Sequence, residues 1–279
     1  MTLRIITLSE NTATYGFQGE FGLSIFIEFA GRRILLDTGM TDVAVRNAAR
    51  FNIDFTQLDA IVISHGHRDH TGGLPHILKK SGPRPVIAHP DIFTTRYTLK
   101  HKPEIRDITL PYSKETLESQ GAQFRFVTDT LELYPGIYVS GEVPMKTTFE
   151  HIEKSLQCGS PHQLTPDPLR DDMSLAIRTA EGLFIVTGCA HRGIINIMRH
   201  FQRVTGEQRV YAILGGLHLS NATESHIATV IAALKDADVR KVVCSHCTGF
   251  HASCALSQAF GNHFTPNHSG TRLVFNLEQ

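Results

Sequence analysis

Apolar residues along this chain follow two spacings, one typical of strands and one typical of helices. In the first third, short apolar runs predict strands, at residues 23–28, 33–36, 60–63 and 85–88. Between these runs, apolar residues recur at helical spacing, at residues 41–51 and 72–80. This part of the chain therefore predicts strands that alternate with helices.

The same alternation returns in the last third of the chain. The predicted strands there are residues 174–178, 183–186, 210–214, 241–244 and 271–275. The predicted helices are residues 193–202, 225–234 and 253–260. Both halves thus contain a β-rich part followed by strand–helix units. This rhythm fits two sheets packed face to face with helices outside, so the predicted fold is α/β (α+β), an αββα sandwich of two mixed sheets.

The pattern loosens between residues 91 and 171. Prolines interrupt it at positions 103, 111, 135, 144, 161, 166 and 168. Strands are predicted at residues 124–127 and 136–140, and long irregular segments of this kind are often lids or binding loops. We therefore expect residues 1–279 to form a single domain in which 91–171 is partly a substrate-covering insertion. The alternative is an insertion without a role in binding.

Composition narrows the classes of function. The 279 residues are 41% hydrophobic, which suffices for a large buried core. The 27 basic and 27 acidic residues balance, and no basic stripe predicts binding to nucleic acid. No apolar run approaches the ~20 residues that cross a membrane, and the N-terminus begins in a strand pattern without a signal peptide. Five cysteines, an odd number, do not predict a disulfide framework, so we expect a cytoplasmic protein.

The candidate chemistry concentrates in residues 64–73, at the end of a predicted strand. Three imidazoles and one carboxylate occur there within six residues, at His65, His67, Asp69 and His70. Imidazole and carboxylate together favour zinc or a comparable divalent transition metal. His65 and His67 can share one face of an extended turn, whereas Asp69 and His70 can point elsewhere, so the spacing predicts two adjacent metal positions. The alternative is a polar loop in which the histidines cluster by chance.

The run HxHxDH, which closes an apolar strand and precedes Thr-Gly-Gly, resembles the metallo-β-lactamase superfamily. Three further segments, at residues 186–194, 214–219 and 244–249, are similar to one subgroup of it. That subgroup is named after 7,8-dihydropterin-6-methyl-4-(β-D-ribofuranosyl)aminobenzene-5′-phosphate synthase. The resemblance implies a metallo-β-lactamase-like αββα sandwich with its site at the loops that end the strands.

The resemblance also implies a set of metal ligands. In the superfamily arrangement, His65 and His67 bind one metal, Asp69 and His70 bind or face a second, and His246 corresponds to the last histidine ligand. One or two divalent ions are expected, with zinc as the first choice and iron or manganese as alternatives. A bound metal lowers the pKa of water from 15.7 toward about 7 and so supplies hydroxide at neutral pH. Asp69 has a second candidate role, as general base beside that water.

Two departures from the superfamily pattern concern the later ligands. Many members carry a Gly-Asp pair whose aspartate bridges two metals, and this chain has Gly188 and Cys189 there. A Cys189 thiolate is a softer donor than a carboxylate oxygen. Many relatives also place a ligand histidine before the preceding strand, where this chain has Asp171 and Asp172. Either His191, at the start of the next helix, replaces that histidine in space or Asp172 supplies an oxygen ligand, and we favour His191.

Four other residues are candidates for supporting roles. Relatives use the aspartate at Asp37 to hydrogen-bond the metal loop, a contact that orients ligands. His218 follows two glycines at a strand end and is a candidate to contact metal or substrate, or to orient a ligand. Glu20 and Glu142 belong to segments that resemble parts of the family pocket, and both are candidate substrate contacts; an ordinary strand-end role for Glu142 is the alternative.

The sequence is compatible with three candidate functions. The leading hypothesis is a metal-dependent hydrolase in which metal-activated water attacks a small anionic substrate, with a phosphate ester as the first candidate. The first alternative is a transferase that condenses a pterin with a ribofuranosylaminobenzene phosphate, like the enzyme after which the subgroup is named. The second is a metal-binding sensor without turnover, which the Cys189 substitution motivates. In each case the expected partner is a small molecule, and the chain acts as a monomer or as a homo-oligomer.

Overall fold

The computed structural model of the protein describes residues 1–100 and 103–277. Its strands are β1 (Thr2–Ser9), β2 (Ser24–Phe29), β3 (Arg32–Leu36), β4 (Ala60–Val62), β5 (Arg84–Ala88), β6 (Arg96–Thr98), β7 (Arg106–Asp107), β8 (Ala122–Phe126), β9 (Leu131–Tyr134), β10 (Ile137–Val139), β11 (Leu156–Ser160), β12 (Gln163–Pro166), β13 (Ser174–Thr179), β14 (Gly182–Thr187), β15 (Val210–Gly216), β16 (Lys241–Ser245), β17 (Phe264–Pro266) and β18 (Arg272–Asn276). Its α-helices are α1 (Val43–Arg50), α2 (Arg68–Thr71), α3 (Leu74–Ser81), α4 (Lys114–Ser119), α5 (Ile194–Thr205), α6 (Glu224–Asp236) and α7 (Phe250–Phe260).

Two seven-stranded sheets form the middle of the molecule. The first has the order β18-β1-β2-β3-β4-β5-β8, and the second has the order β17-β16-β15-β14-β13-β10-β9. Both sheets are mixed, since β1 to β3 pair antiparallel whereas β3, β4, β5 and β8 pair parallel, and β13 is antiparallel to β14 whereas β14 to β17 are parallel. The predicted sandwich of two mixed sheets with outer helices is confirmed.

Three apolar layers hold the sandwich together, one between the sheets and one between each sheet and its helices. In β14, Phe184 and Val186 belong to the layer between the sheets, whereas Leu183 and Ile185 pack against the helices. Successive side chains of a strand point to opposite faces, so a continuous apolar run suits a strand that is buried on both. Because Phe184 is fully buried, its replacement by alanine is expected to cost about 3–5 kcal/mol.

The functional residues lie where parallel strands end. Asp37 follows β3, and residues 64–73, the histidine loop, follow β4. Residues 189, 218 and 246 follow β14, β15 and β16. At three of these exits the backbone turns sharply, because Asp37, His218 and His246 adopt φ values of 58°, 49° and 54°. Residues other than glycine rarely adopt this left-handed backbone conformation, and such strain concentrates at functional sites.

The segment from 91 to 171 is more ordered than its sequence pattern predicts. Besides β8 and β10, which correspond to the predicted strands, it contains a third sheet with the order β12-β11-β6-β7. The sequence pattern does not predict this sheet, because its strands are only two to five residues long. Strands β7 and β12 are also largely exposed, so no apolar alternation marks them. Residues 101 and 102 of the segment lie outside the described residues.

Other differences from the predicted elements are small and have local causes. The histidine loop contains the one-turn helix α2, and α3 begins at Leu74 because Gly73 precedes it and Pro75 occupies its first turn. Helix α7 begins at Phe250, three residues earlier than predicted. Strands β9 and β17 and helix α4 were missed because each is short. Among the described residues, no helix combines the length and apolar character that crossing a membrane requires.

Candidate metal centre

The histidine loop carries four of the predicted donors, namely His65, His67, Asp69 and His70. After β4, the chain turns at Gly66, where a Cβ atom would lie 2.1 Å from the carbonyl oxygen of Ile92. Only glycine fits so close to that backbone. His67 then serves as the N-terminal flank of α2, and this short helix aims His70 back toward His65, with ring centroids 4.2 Å apart.

The first donor group consists of His65, His67 and His191. Nε2 of His65 lies 2.9 Å from Nδ1 of His67 and 3.2 Å from Nε2 of His191. All three side chains are buried. Two ligands that each lie 2.0–2.1 Å from a tetrahedral zinc ion are separated by about 3.4 Å, so these nitrogens have nearly the spacing that a common ion requires.

The second donor group consists of Asp69, His70 and His246. Nε2 of His70 lies 3.2 Å from Nε2 of His246, and Oδ2 of Asp69 lies 3.2 Å from the His246 nitrogen and 3.6 Å from that of His70. The carboxylate therefore caps a pair of imidazoles that come from opposite ends of the sequence.

Cys189 stands between the two donor groups. Its sulfur lies 3.2 Å from Nε2 of His70. Together with His65 and His191 it forms one set whose ligating atoms all lie within 4.8 Å of one another, and with His70 and His246 it forms another. The cysteine thus takes the shared position at which many superfamily members carry an aspartate. Together, the five imidazoles, one carboxylate and one thiol form a donor set that suits zinc. The two donor groups would hold two ions next to each other.

Hydrogen bonds behind the donors fix their orientation. Asp37 accepts a hydrogen bond from the Ser64 amide at 2.7 Å, and its other oxygen lies 2.7 Å from both the Ser64 hydroxyl and Nδ1 of His70. The Ser64 hydroxyl also contacts Nδ1 of His65, at 2.8 Å. On the other side, Nδ1 of His246 lies 2.9 Å from Oδ1 of Asn11. Such partners set the tautomer and leave Nε2 free for an ion.

The two aspartates before β13 support the site without joining either donor group. Asp171 accepts a hydrogen bond from the Gly66 amide at 2.8 Å and so holds the histidine loop. Asp172 accepts one from the Arg192 amide at 2.9 Å. His191 is the residue that reaches His65, and its replacement of the ligand histidine of many relatives stays a prediction.

Electrostatics differ between the two donor groups. Burial lowers the pKa of His65, His67 and His191 well below the ordinary imidazole value, and the nearby His70 adds to this effect. These rings are therefore neutral at physiological pH, which is the form that binds a metal. A neutral imidazole has only one N–H donor, so the ring nitrogens of these three histidines cannot all be paired by hydrogen bonds to one another. A bound ion would accept their lone pairs instead.

In the second group, charge outweighs burial. Burial alone would lower the pKa of His70, but Asp69 and Asp37 raise it to about 9. Burial alone would raise the pKa of Asp69, but His70 and His246 hold it below its ordinary value. In the metal-free chain, both ring nitrogens of His70 are thus protonated, and we expect the binding of an ion there to release one of these protons.

A cavity of about 460 Å³ opens above both donor groups. Its buried side, the inner wall, includes His67, Asp69, Cys189, His191 and His246. Its opposite side, the outer wall, comes mainly from the third sheet and its surroundings and consists of Thr98, Lys100, Arg106, Ile108, Glu153 and Leu156. The exposed ring of Phe21 lies beside the entrance, 5.4 Å from the His246 ring. The candidate metal centre, a pair of cations and an apolar surface therefore line one pocket.

Two predicted substrate contacts are placed elsewhere. Glu20 accepts hydrogen bonds from the Ser9 hydroxyl and the Met40 amide, at 2.8 and 3.0 Å, and thereby ties the early loop to the turn after β3. Glu142 pairs with Arg192 at 3.4 Å. Within the described part of the chain, neither carboxylate lines the cavity.

Several residues of the site were not found by sequence analysis, namely Asn11, Lys100, Arg106, Glu153 and Cys247. Cys247 directly follows His246 in one of the segments that carried the family resemblance, so its position was a usable signal. Lys100, Arg106 and Glu153 occur where the sequence lacks a regular period, and nothing there distinguishes them from other surface charges.

Residues 18–246 match the family model described as the metallo-beta-lactamase superfamily. The chain belongs to this superfamily. A relative from Methanocaldococcus jannaschii, named 7,8-dihydropterin-6-methyl-4-(beta-D-ribofuranosyl)-aminobenzene-5'-phosphate synthase, is 33% identical over 98% of this chain and 97% of its own length. This similarity confirms the predicted resemblance to that subgroup.

Two further similarities are to a protein described as a hydrolase and to one named as a ribonuclease. Tm1679, described as a metal-dependent hydrolase of the beta-lactamase superfamily, superposes with a TM-score of 0.84 at 26% identity, over 97% of this chain and 98% of that chain. Ribonuclease TTHA0252 from Thermus thermophilus is 42% identical over 60 residues, which are 21% of this chain and 14% of the ribonuclease. The first likeness spans the whole fold, whereas the second is local.

Proposed function

We propose that this protein is a metal-dependent hydrolase that cleaves a small, phosphate-bearing substrate. The observation that carries the proposal is the pocket itself, since two metal-type donor groups line its inner wall and two cations, Lys100 and Arg106, line its outer wall. The similarity over nearly the full length to a structure described as a metal-dependent hydrolase supports the same reaction class.

In this proposal, each donor group would hold one ion. His65, His67 and His191 would hold one, Asp69, His70 and His246 would hold the other, and Cys189 would be shared. Bound zinc at such a site supplies hydroxide at neutral pH and polarises the oxygen of the bond that is cleaved. Asp69 is ionised because neighbouring imidazoles lower its pKa, so the carboxylate oxygen that does not hold the ion could accept a proton beside the reacting water.

The outer wall is suited to an anion. Lys100 lies 3.6 Å from Glu153, and Arg106 pairs with Glu104 at 3.1 Å, and both cations are more than one-third exposed. Exposed ion pairs of this kind contribute at most about 1 kcal/mol. A phosphate group with nearly two negative charges can therefore compete for both cations, while Ile108 and Leu156 offer apolar surface to the rest of the substrate.

A direct test measures metal content and turnover on the same preparation. Phosphomonoester, phosphodiester, lactone and thioester probes are compared, and the phosphate esters are expected to react. His67→Ala is expected to lose metal and activity together. His251→Ala is the matched control, because that side chain is 69% exposed and lies outside the pocket. Protein that retains metal but turns over none of the probes supports the sensor alternative, and a chain that binds no transition ion would falsify both.

A second candidate function is the transferase reaction in which the amine of a ribofuranosylaminobenzene phosphate displaces a leaving group, such as diphosphate, from the 6-methyl carbon of an activated pterin. It is favoured by the 33% identity, over nearly the whole of both chains, to the enzyme named for this product. The pocket offers the Phe21 ring for stacking and the same two cations for the phosphate. Incubation with both components and mass spectrometry of the products separates the candidates, because the condensation product forms only if the transferase assignment is right.

A further inference from the structure

A second cluster of metal-type donors adjoins the centre already described. It consists of Cys189, His218 and Cys247, whose ligating atoms all lie within 4.8 Å of one another. Cys247 also accepts a hydrogen bond from the backbone amide of His218, at 3.3 Å, which links the exits of β15 and β16. Two thiols and one imidazole are the donors of structural and catalytic zinc sites.

The His218 side chain is held as a metal ligand would be held. Its Nε2 atom lies 2.9 Å from Oε2 of Glu153, whereas its Nδ1 atom is buried and meets no hydrogen-bond partner among the described residues. A carboxylate on one nitrogen fixes the tautomer and orientation of a ligand histidine and leaves the other nitrogen for the ion. A buried nitrogen without a partner destabilises the folded chain, and a bound ion would offset this cost.

The local backbone also brings the two sulfurs together. At Gly216, a Cβ atom would lie 2.6 Å from the sulfur of Cys247 and 3.3 Å from Cα of Cys189. Any larger residue at this point would push the two cysteines apart. After this strand, His218 adopts a φ of 49°, a strained conformation that is uncommon for residues other than glycine.

We propose that Cys189, Cys247 and Nδ1 of His218 form a third cation position, for a thiophilic ion such as zinc. It would share the Cys189 sulfur with the two donor groups, and thiolate sulfur suits such soft ions. Because His218 and Cys247 line the cavity, the coordination position that the protein leaves open faces the substrate pocket. This site goes beyond the two-ion centre of the proposed function and does not depend on hydrolysis.

The experiment counts ions at this cluster. Reduced, metal-free protein is titrated with Cd²⁺, bound metal is measured by mass spectrometry, and thiolate-to-cadmium charge transfer is followed in the ultraviolet. Cys247→Ser is expected to bind one ion fewer than the wild type and to lose part of the charge-transfer absorbance. Cys254→Ser is the matched control, because it removes an exposed thiol and is expected to change neither.

Glu153→Gln provides a second variant that keeps the donors and perturbs only their support. We expect it to retain the ion count and to bind the last ion about 10–100-fold more weakly. It also guards against misfolding of Cys247→Ser, since Glu153 is partly exposed. An equal ion count and equal absorbance in wild type and Cys247→Ser would overturn the third position. Failure of the two-ion proposal is distinguishable, because it appears as an unchanged ion count in His67→Ala.

Discussion

The two walls of the pocket are built in opposite ways. The inner wall stands on strand ends of the two large sheets, and His65 and His70 are fully buried there, with Asp37 and Ser64 bonded behind them. The outer wall stands on a small sheet of short strands, and its Arg106 side chain is 55% exposed. Under the proposed function, the chemistry that needs fixed distances would lie on the buried inner wall, and the contacts that select a substrate would lie on the more exposed outer wall.

The two walls meet at one buried cluster of charges. Arg96, in β6 of the small sheet, donates to Asp167 and Asp171 at 2.7 Å each, and Asp171 in turn accepts from the Gly66 amide of the histidine loop. The Arg96 side chain is only 1% exposed. The Asp171 carboxylate thus contacts both Arg96 and the histidine loop, and in this way it connects the outer wall with the inner wall.

The largest effect is expected from breaking this connection. Arg96→Met would leave the carboxylates of Asp167 and Asp171 buried without their partner, and loss of one partner from a buried ion pair typically costs 3–5 kcal/mol. We expect the free energy of unfolding of the metal-free protein, measured by urea denaturation, to fall by about that amount.

Arg32→Met is the matched control for this measurement. Arg32 pairs with Asp59 at 2.8 Å, but its side chain is 47% exposed, so its loss should cost less than about 1 kcal/mol. Similar losses for the two variants would show that the Arg96 cluster does not connect the walls in the way described.

A smaller effect is expected within the inner wall. Asp37→Asn replaces one carboxylate oxygen by a donor amide, which cannot accept from both Ser64 and His70. Zinc affinity, measured by competition with a chelator, is expected to fall about 10–100-fold, the usual effect of losing such a supporting contact. Asp42→Asn, in an exposed pair with Arg46, should leave zinc affinity unchanged.

The same contrast explains what could be predicted from the sequence. The αββα fold could be predicted from buried strands, because burial on both faces restricts residue types strongly. The histidine run predicts His65, His67, Asp69 and His70 as metal ligands, whereas His246 was included through the family resemblance, and these ligand roles stay predictions. His191 could be preferred over Asp172 on the same grounds, since it opens a helix directly after a buried strand.

The outer wall could not be predicted in the same way. Strands such as Arg106–Asp107 and Gln163–Pro166 are short and exposed, so no local apolar pattern marks them. Each pairs with a strand that is near in sequence, and the two pairs join into one sheet only through the distant contact of β6 with β11, where Tyr97 lies opposite Gln157. Lys100 and Glu153 become recognisable only once this sheet folds over the metal centre. Glu20, by contrast, was assigned to the substrate by family resemblance, whereas its carboxylate holds a loop.

Acid provides a third and smaller test, at the point where the outer wall contacts His218. Burial alone would raise the pKa of Glu153, but hydrogen bonds from His218 and Ser155, with the nearby Lys100, lower it from 4.5 to about 2. The ionised carboxylate therefore stabilises the folded chain fully above the unfolded pKa, and this contribution disappears as the pH falls through about 2.

Glu153→Gln removes this titrating group. In metal-free protein, the wild type is expected to be more stable than this variant by up to about 2 kcal/mol near neutral pH, and the difference should shrink below pH 4.5. Denaturation curves of both proteins across this range provide the measurement. Glu104→Gln, whose side chain is 67% exposed, should show little difference at any pH. A wild-type advantage that persists unchanged into strong acid would argue against the ionised pair.

The smallest effect is expected at the outer wall itself. Lys100→Ala and Arg106→Ala should each raise KM for a phosphate ester by about 5–10-fold, or roughly 1 kcal/mol, because each removes one exposed cation from the path of the anion. The turnover number should change little, since these cations contact the ground state and the transition state alike. The effect should also weaken with added salt, because exposed charges are screened. Lys154→Ala removes an exposed cation outside the cavity and should leave KM unchanged. If Lys100→Ala lowered the turnover number at constant KM, the outer wall would take part in the reaction, and the division of labour between the two walls would have to be abandoned.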